Sequence, residues 1–409
     1  MVKELEERLA KTRFGEYDRD NFDRYASKRK LNPGCPVIHI AGSNGKSSVA
    51  HYLEAIYLAA GYKVGLFLSP ALDCLNDAIR FDGKDIDDST LSKLYNENCK
   101  DFDKFELSAF EVSVALAYRY FEAVKPDIAI IECGMGGVLD ATNIEELDTR
   151  LSIVTSISLE HTSFLGTTLS QIALHAAGII KDQTPVLVGR VDDESLGILR
   201  DEAKAYNSPF SKVERYYFDH LVGNNFHFDY GIYKDLEIHT LADYQLRNAA
   251  LAVEAVYTLR ADFPVEEDAL RKGLLVDPLP ARLENFGRIT IDAAQNPEGI
   301  EALVRSAMTI GKGRTIQVLF GSLRDKNIAV ELPTLANIIP SITLTTFPHP
   351  LARGEEDYFL YAGDHPFEAD ALATLKRFLE ENPDDVVLVT GSIEFCAYIR
   401  KAVIEQRLG

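Results

Sequence analysis

Short apolar runs alternate with amphipathic segments along most of the chain. Val37, Ile38 and Ile40 form one such run, which ends in a glycine-rich turn. Val49, Leu53, Ile56 and Tyr57 then recur on one helical face through 46–60, and Gly61 is placed to stop that helix. Residues 63–69 read as the next strand. This is a β-α-β unit, and such units build parallel sheets. The pattern repeats with a helix over 108–123, strands over 126–132 and 151–158, a helix over 169–180 and a strand over 185–189. Segment 211–240 changes character: it is aromatic and alternating, with Gly-Asn and Asp-Tyr-Gly turns, and predicts an antiparallel insertion. A long helix is expected over 244–259.

The stretch around Asp277, Leu279 and Pro280 is the best linker candidate. A second α/β block follows, with strands expected at 288–291, 315–320, 342–346 and 386–390 and helices at 297–310, 327–338, 367–381 and 392–405. The expected fold is α/β: an N-terminal phosphate-loop domain on a mainly parallel sheet, residues 1–278, and a smaller Rossmann-like α/β domain, residues 279–409. No fixed-period repeat or low-complexity tract interrupts it.

Charge narrows the function. Asp plus Glu outnumber Lys plus Arg by 63 to 43, a net charge of −20, which argues against a broad nucleic-acid or anionic-membrane surface. An anionic ligand must therefore be held by a small local site. No apolar run approaches the roughly 20 residues of a membrane helix, and the charged N-terminus does not read as a secretory signal. The five scattered cysteines suggest reduced thiols in a cytoplasmic protein.

Three clusters carry candidate chemistry. Gly42-Ser43-Asn44-Gly45-Lys46-Ser47-Ser48 lies between a strand and a helix. Backbone N–H groups of such a loop turn inward around phosphate oxygens, the helix N-terminus adds positive potential, Lys46 can reach the terminal phosphates, and a following hydroxyl can bind Mg²⁺. That predicts ATP binding, with Ser47 and Ser48 both open as the hydroxyl. Glu132 ends a strand expected to run parallel to the first, and a carboxylate there can hold Mg²⁺ beside the loop. His161 follows a third such strand and joins the same candidate metal site.

These residues resemble the folylpolyglutamate synthase/dihydrofolate synthase family of the Mur ligase superfamily. VIHIAGSNGKSS (37–48) is similar to the family's VIHVAGTNGKGS, and IIECGMGGVLDATN (130–143) to LEVGLGGRLDATN. TSISLEHTSFLGTTLSQIA (155–173) is similar to TSIGLDHTEFLGDTLEQIA. YQLRN (244–248), PARLE (280–284), IDAAQNP (291–297), FGSLRDKNI (320–328) and LVTGSIEF (388–395) resemble further family motifs in the family's order. The resemblance implies a Mur-ligase-like fold and an ATP-dependent carboxylate–amine ligase. It would join L-glutamate to a folate-type carboxylate through an acyl phosphate, and it implies a monomer. It also implies Mg²⁺ on Ser48, Glu132 and His161. Arg282 and Asn296 would stand near the nucleotide, and Asp292, Gln295 and Ser392 near the amino acid. Lys46, His161, Arg282 and Asp292 would be the catalytic set.

Departures from the family pattern leave alternatives open. The family's metal-supporting Lys is Ala176 here, with His175 the nearest possible ligand and Lys181 turned roughly 140° away on a helix. The family's SPHLxxFRERI reads SPALDCLNDAI, so Ala71, Asn76 and Ala78 replace a His and two Arg. Val138 replaces an Arg, and Gln295 a His. A related ligase for another carboxylate, or a catalytically weak nucleotide-binding relative, are the competing readings. Without that Lys the second metal site is expected to be weak or absent, and dihydrofolate synthesis slow.

Overall fold

The computed structural model describes residues 19–406 apart from positions 214, 312 and 362. The charged stretch 1–18, in which no secretory signal was read, lies outside them. The chain forms two compact units. The first takes the chain up to Asp219 together with His227–Ile238 and Arg247–Val276; the second takes His220–Phe226, His239–Leu246 and the chain from Asp277 onward.

The first unit is built on strands β1 (Val37–Ala41), β2 (Val64–Phe67), β3 (Ile79–Phe81), β4 (Lys84–Asp85), β5 (Ile128–Glu132), β6 (Thr149–Ser156), β7 (Val186–Arg190) and β8 (Phe210–Lys212). They form one sheet in the order β4-β3-β2-β5-β1-β6-β7-β8. Strands β2, β5, β1, β6, β7 and β8 run parallel, and β3 and β4 add an antiparallel edge. Strands β1, β2 and β5 are buried throughout, which is why they read as unbroken apolar runs. One core cluster gathers Phe22, Tyr25, Phe102, Val112, Leu116 and Phe121 from helices Asp20–Arg29, Asp88–Lys104 and Ala109–Val124. Another gathers Val154, Ile172, Ala176, Leu199 and Ala203 with helices Leu169–Ala177 and Asp193–Ala205. Helix Glu267–Leu274 packs against helix Lys46–Ala59.

Strands β9 (Tyr217–Val222), β10 (Asn225–Tyr230) and β11 (Tyr233–His239) form the separate three-stranded sheet expected of the insertion. Two-residue connections at Gly223-Asn224 and Gly231-Ile232 leave only antiparallel pairing.

The second unit holds strands β12 (Arg282–Phe286), β13 (Ile289–Asp292), β14 (Ile316–Phe320), β15 (Ile342–Thr345), β16 (Phe367–Glu368) and β17 (Val386–Thr390), in the order β12-β13-β17-β14-β15-β16. All pairs are parallel except β12 with β13. The helix expected over 367–381 is corrected at its start. Phe367–Glu368 is the edge strand β16, bound through Leu344 N to Pro366 O at 2.8 Å and Thr345 Oγ1 to Glu368 O at 2.6 Å. The helix is Ala371–Glu381, because the Asp370 carboxylate accepts the N–H groups of Leu372 and Ala373 and fixes its first turn there.

Among the described residues no helix is long and apolar enough to cross a membrane. None of the five cysteines is joined in a disulfide.

Helix Ile328–Ala336 of the second unit carries a buried carboxyl, Glu331, whose Oε2 has no hydrogen-bond partner. Burial pushes this group up to about 8, although Lys326 and Arg353 draw it down. Between the ordinary Glu value of about 4.3 and that point, the folded chain keeps a proton that the unfolded chain has released, so this group makes stability fall as pH rises. Glu331→Gln removes the effect. Its melting temperature should gain on the wild type progressively from about pH 5 to about pH 8; a gap that stays constant across that range would contradict the assignment.

Candidate active site

In the first unit the site forms where β5, β1 and β6 end. Ile40 of β1 stands in register with Glu132 of β5, and Ala41 with Val154 of β6. The chain leaves β1 through Gly42 at φ 128°, a backbone that disfavours a side chain, and a Cβ there would lie 2.3 Å from Thr155 Oγ1. The phosphate loop is laced to the end of β6. Ser43 N donates to Ser156 O at 2.9 Å and Asn44 N to Ser156 Oγ at 3.0 Å, while Ser158 N donates to Ser43 Oγ at 3.0 Å. These contacts hold Ser43, Asn44 and Gly45 in one curve that opens into helix Lys46–Ala59.

Lys46 Nζ folds over this curve and donates to Gly42 O at 2.7 Å and Ser43 O at 3.3 Å. Ser47 Oγ donates to Glu132 Oε1 at 2.9 Å, and Ser69 N donates to Glu132 Oε2 at 3.2 Å. The Glu132 carboxylate is buried, at 1% exposure. The sequence leaves Ser47 and Ser48 both open as the metal-binding hydroxyl, with Ser48 the one that the resemblance implies. It is Ser47 whose hydroxyl meets Glu132, because Ser48 is one position further round the helix and is buried. A hydroxyl and a carboxylate offer the hard oxygen donors that suit Mg²⁺, and a glycine loop with an adjacent lysine suits a phosphate chain. The residues present therefore fit both groups.

His161 lies beyond the end of β6, exposed and with left-handed backbone at φ 46°, where helix Thr162–Leu165 begins. Among the described residues no group of three or more His, Cys, Asp and Glu is gathered to hold a metal.

Sequence reasoning passed over three residues here. Asn248 sits against the loop, such that a Cβ on Gly45 would lie 2.4 Å from its Oδ1. Ser69 reaches Glu132 through its backbone, which no residue-type signal reveals. Asp140 is buried and accepts from Met135 N, Thr142 N and Thr142 Oγ1, closing the loop that follows Glu132. Burial raises its carboxyl and these hydrogen bonds oppose the rise.

Of the substituted positions, Asn76, Ala78 and Ala176 are buried, Ala71 and Gln295 are half-buried and Val138 is open. Ala78 and Ala176 are buried at 2% exposure, and Ala71 packs on the core. Asn76 Nδ2 donates to Ile86 O at 2.7 Å and to Asp88 Oδ1 at 3.0 Å. His175 O accepts from Val138 N at 2.9 Å, and the Val138 side chain is exposed.

In the second unit Asp292 is buried at the end of β13. Its Oδ2 accepts from Tyr244 Oη at 2.7 Å and Leu283 N at 3.0 Å, and its Oδ1 accepts from Ala294 N at 3.0 Å. Burial raises its carboxyl, opposed by the Tyr244 bond and by Arg282. Arg282 stands in register with Asp292 and donates to Ala281 O at 3.2 Å. Asn296 Oδ1 accepts from Gly299 N at 2.8 Å, where helix Pro297–Gly311 begins, and Gln295 beside it is half-buried. Ser392 is buried and caps helix Ile393–Ile404 by accepting from Phe395 N at 3.2 Å. Asp292, Asn296 and Ser392 thus each hold a strand-end turn of this unit in shape.

The Mur ligase middle domain family matches residues 40–256. The dihydrofolate synthase/folylpolyglutamate synthase of Bacillus subtilis is 31% identical over 401 residues, covering 89% of this chain and 90% of that protein. The Mycobacterium tuberculosis folylpolyglutamate synthase, solved with ADP and AMPPCP, superposes with a TM-score of 0.87 at 26% identity, covering 98% of this chain and 97% of that one. A bifunctional folylpolyglutamate synthase/dihydrofolate synthase solved with Mn, AMPPNP and L-glutamate also gives 0.87 at 26% identity, with 98% of each chain covered.

The loop geometry makes a direct prediction. Gly45 has φ 89° and no room beside Asn248. Gly45→Ala should cost about 1–3 kcal/mol of stability through backbone strain and displace Asn248. Adding Asn248→Gly should recover part of the loss but not all, because the strain in φ remains. Thermal unfolding of the single and double variants reads both effects; a Gly45→Ala chain as stable as the wild type would refute the close approach.

Proposed function

The chain belongs to the folylpolyglutamate synthase/dihydrofolate synthase family of the Mur ligases, and from that premise we infer that it is an ATP-dependent carboxylate–amine ligase adding L-glutamate to dihydropteroate or a reduced folate. The observation that carries the reading is the Ser47–Glu132 hydrogen bond directly beside Lys46, at the ends of two parallel strands. It sets a cation, a hydroxyl and a carboxylate around one phosphate-sized curve.

In this reading Lys46 balances charge on the phosphates, and the loop N–H groups orient them. Ser47, Glu132 and His161 hold Mg²⁺, which when bound neutralises charge on the transferring phosphoryl group. The acceptor carboxylate attacks that group, forms an acyl phosphate and releases ADP. The glutamate amine then attacks the acyl carbon, and phosphate leaves. Residues 1–278 carry the nucleotide in this proposal and residues 279–409 the amino acid, with Arg282, Asp292, Gln295, Asn296 and Ser392 shaping that second part. The same reading makes the protein a cytoplasmic monomer acting on small molecules.

One observation favours a second reading. Position 78 is packed in the core, and Asn76 is spent on bonds within the chain. A ligase for a less anionic carboxylate than the folate-type acceptor would need neither cation.

An ADP-release assay tests the proposal. ADP and phosphate should appear only when ATP, dihydropteroate and glutamate are all present; release without an acceptor would mark an ATPase. Ser47→Ala should lower turnover by about 10²-fold, the scale for removing one group that stabilises transferring charge. Ser48→Ala should fall far less, and the opposite ranking would return the metal ligand to Ser48.

A further inference from the structure

The carboxylates around the strand ends of the second unit are mostly in use. Asp292 accepts three hydrogen bonds on its two oxygens. Glu284 of β12 accepts from Arg400 Nε at 2.8 Å and from Ala281 N at 2.9 Å. Gln295 replaces a histidine of the family pattern, and an amide cannot take up a proton.

Glu394 differs from these. It is the second residue of helix Ile393–Ile404, which starts just beyond the end of β17. Strand β17 runs parallel to β13, with Val389 level with Ile291, so this helix begins beside the turn that Asp292 holds. Two positions along, Cys396 Sγ donates to Asp292 O at 3.4 Å. Burial pushes the Cys396 thiol up, and the carboxylates of Asp292, Glu394 and Glu284 push the same way while Arg282 opposes them. These charges therefore share one neighbourhood. The Glu394 side chain is half-buried, and its Oε2 is shut off from water with no hydrogen-bond partner among the described residues. The helix dipole favours a carboxylate in a first turn. That accounts for the charge, but not for an oxygen turned from water without a donor, which costs stability.

We propose that Glu394 is a catalytic residue whose carboxylate receives the ammonium group of the incoming amino acid and takes up the proton that the amine loses before it attacks. The proposal rests on the ligase reading above and names within it a proton acceptor that Gln295 cannot be. The α-ammonium gives one proton to Glu394 and exposes the nitrogen lone pair. The bond from nitrogen to the acyl carbon forms, and the bond from that carbon to the phosphate oxygen breaks. A second nitrogen proton leaves with the phosphate, and Glu394 returns its own to solvent. Asp292 and Glu284 are less suited to this step, because backbone and side-chain donors already hold their oxygens.

The test uses the full chain with Glu394→Gln, which keeps the shape and removes the charge, and supplies two nucleophiles in turn. With ATP, dihydropteroate and L-glutamate, turnover should fall about 10²-fold or more, the scale for losing a positioned proton acceptor. Hydroxylamine is already unprotonated at neutral pH, so hydroxamate formation with it should stay near the wild-type rate. An equal loss with both nucleophiles would overturn the assignment, because a structural role does not distinguish them. Undiminished turnover with glutamate would overturn it too. Glu394→Asp keeps a carboxylate and should retain more glutamate turnover than Glu394→Gln; the reverse ranking would count against the proposal. A wild type that forms no hydroxamate from ATP, dihydropteroate and hydroxylamine would sink the ligase reading instead. Glu394 would then be judged on L-glutamate binding by calorimetry, which Glu394→Gln should weaken about tenfold, and unchanged binding would overturn it.

Discussion

The site depends on a close approach between two backbones. Gly42 passes so near Thr155 that no side chain fits between them, and this contact draws the first turn after β1 onto the end of β6. Ser43 and Asn44 can then exchange hydrogen bonds with Ser156 and Ser158, and helix Lys46–Ala59 starts at the height that brings Ser47 to Glu132. The parallel register of β5, β1 and β6 supplies the platform, and the glycine sets the spacing on it. Buried parallel strands tolerate little adjustment, so one missing Cβ governs several polar contacts downstream.

The two units solve a similar problem in similar ways. A loop at a strand end carries backbone N–H groups that need partners. In the first unit Asp140 accepts two of them and a threonine hydroxyl; in the second Asp292 accepts two and a tyrosine hydroxyl. Each carboxylate is buried, and each has its ordinary acidity weakened by that burial. The hydrogen bonds offset the desolvation and leave rigid turns on which exposed groups can be set.

The central strands were legible because burial on both faces leaves an uninterrupted apolar signature, as in 37–40 and 386–390. Helices Asp20–Arg29, Asp88–Lys104, Asp193–Ala205 and Glu267–Leu274 went unread, because their outward faces are rich in charge and hide a narrow apolar stripe. Caps such as Asp87 and Asp192 were the available signals. The phosphate loop and Glu132 were readable from residue type and place. The choice between Ser47 and Ser48 was not, since adjacent helical residues point about 100° apart and only the helix's rotation decides which meets Glu132.

Packing at the substituted positions makes the departures directional. An alanine at 176 or 78 is now enclosed by its neighbours, and Asn76 holds the turn that contains it. A long side chain placed at 176, or a cation at 78, would meet a filled interior, where an unpaired charge costs several kcal/mol unless the surroundings move. A cationic pocket here would therefore require concerted replacement of the residues that enclose these positions.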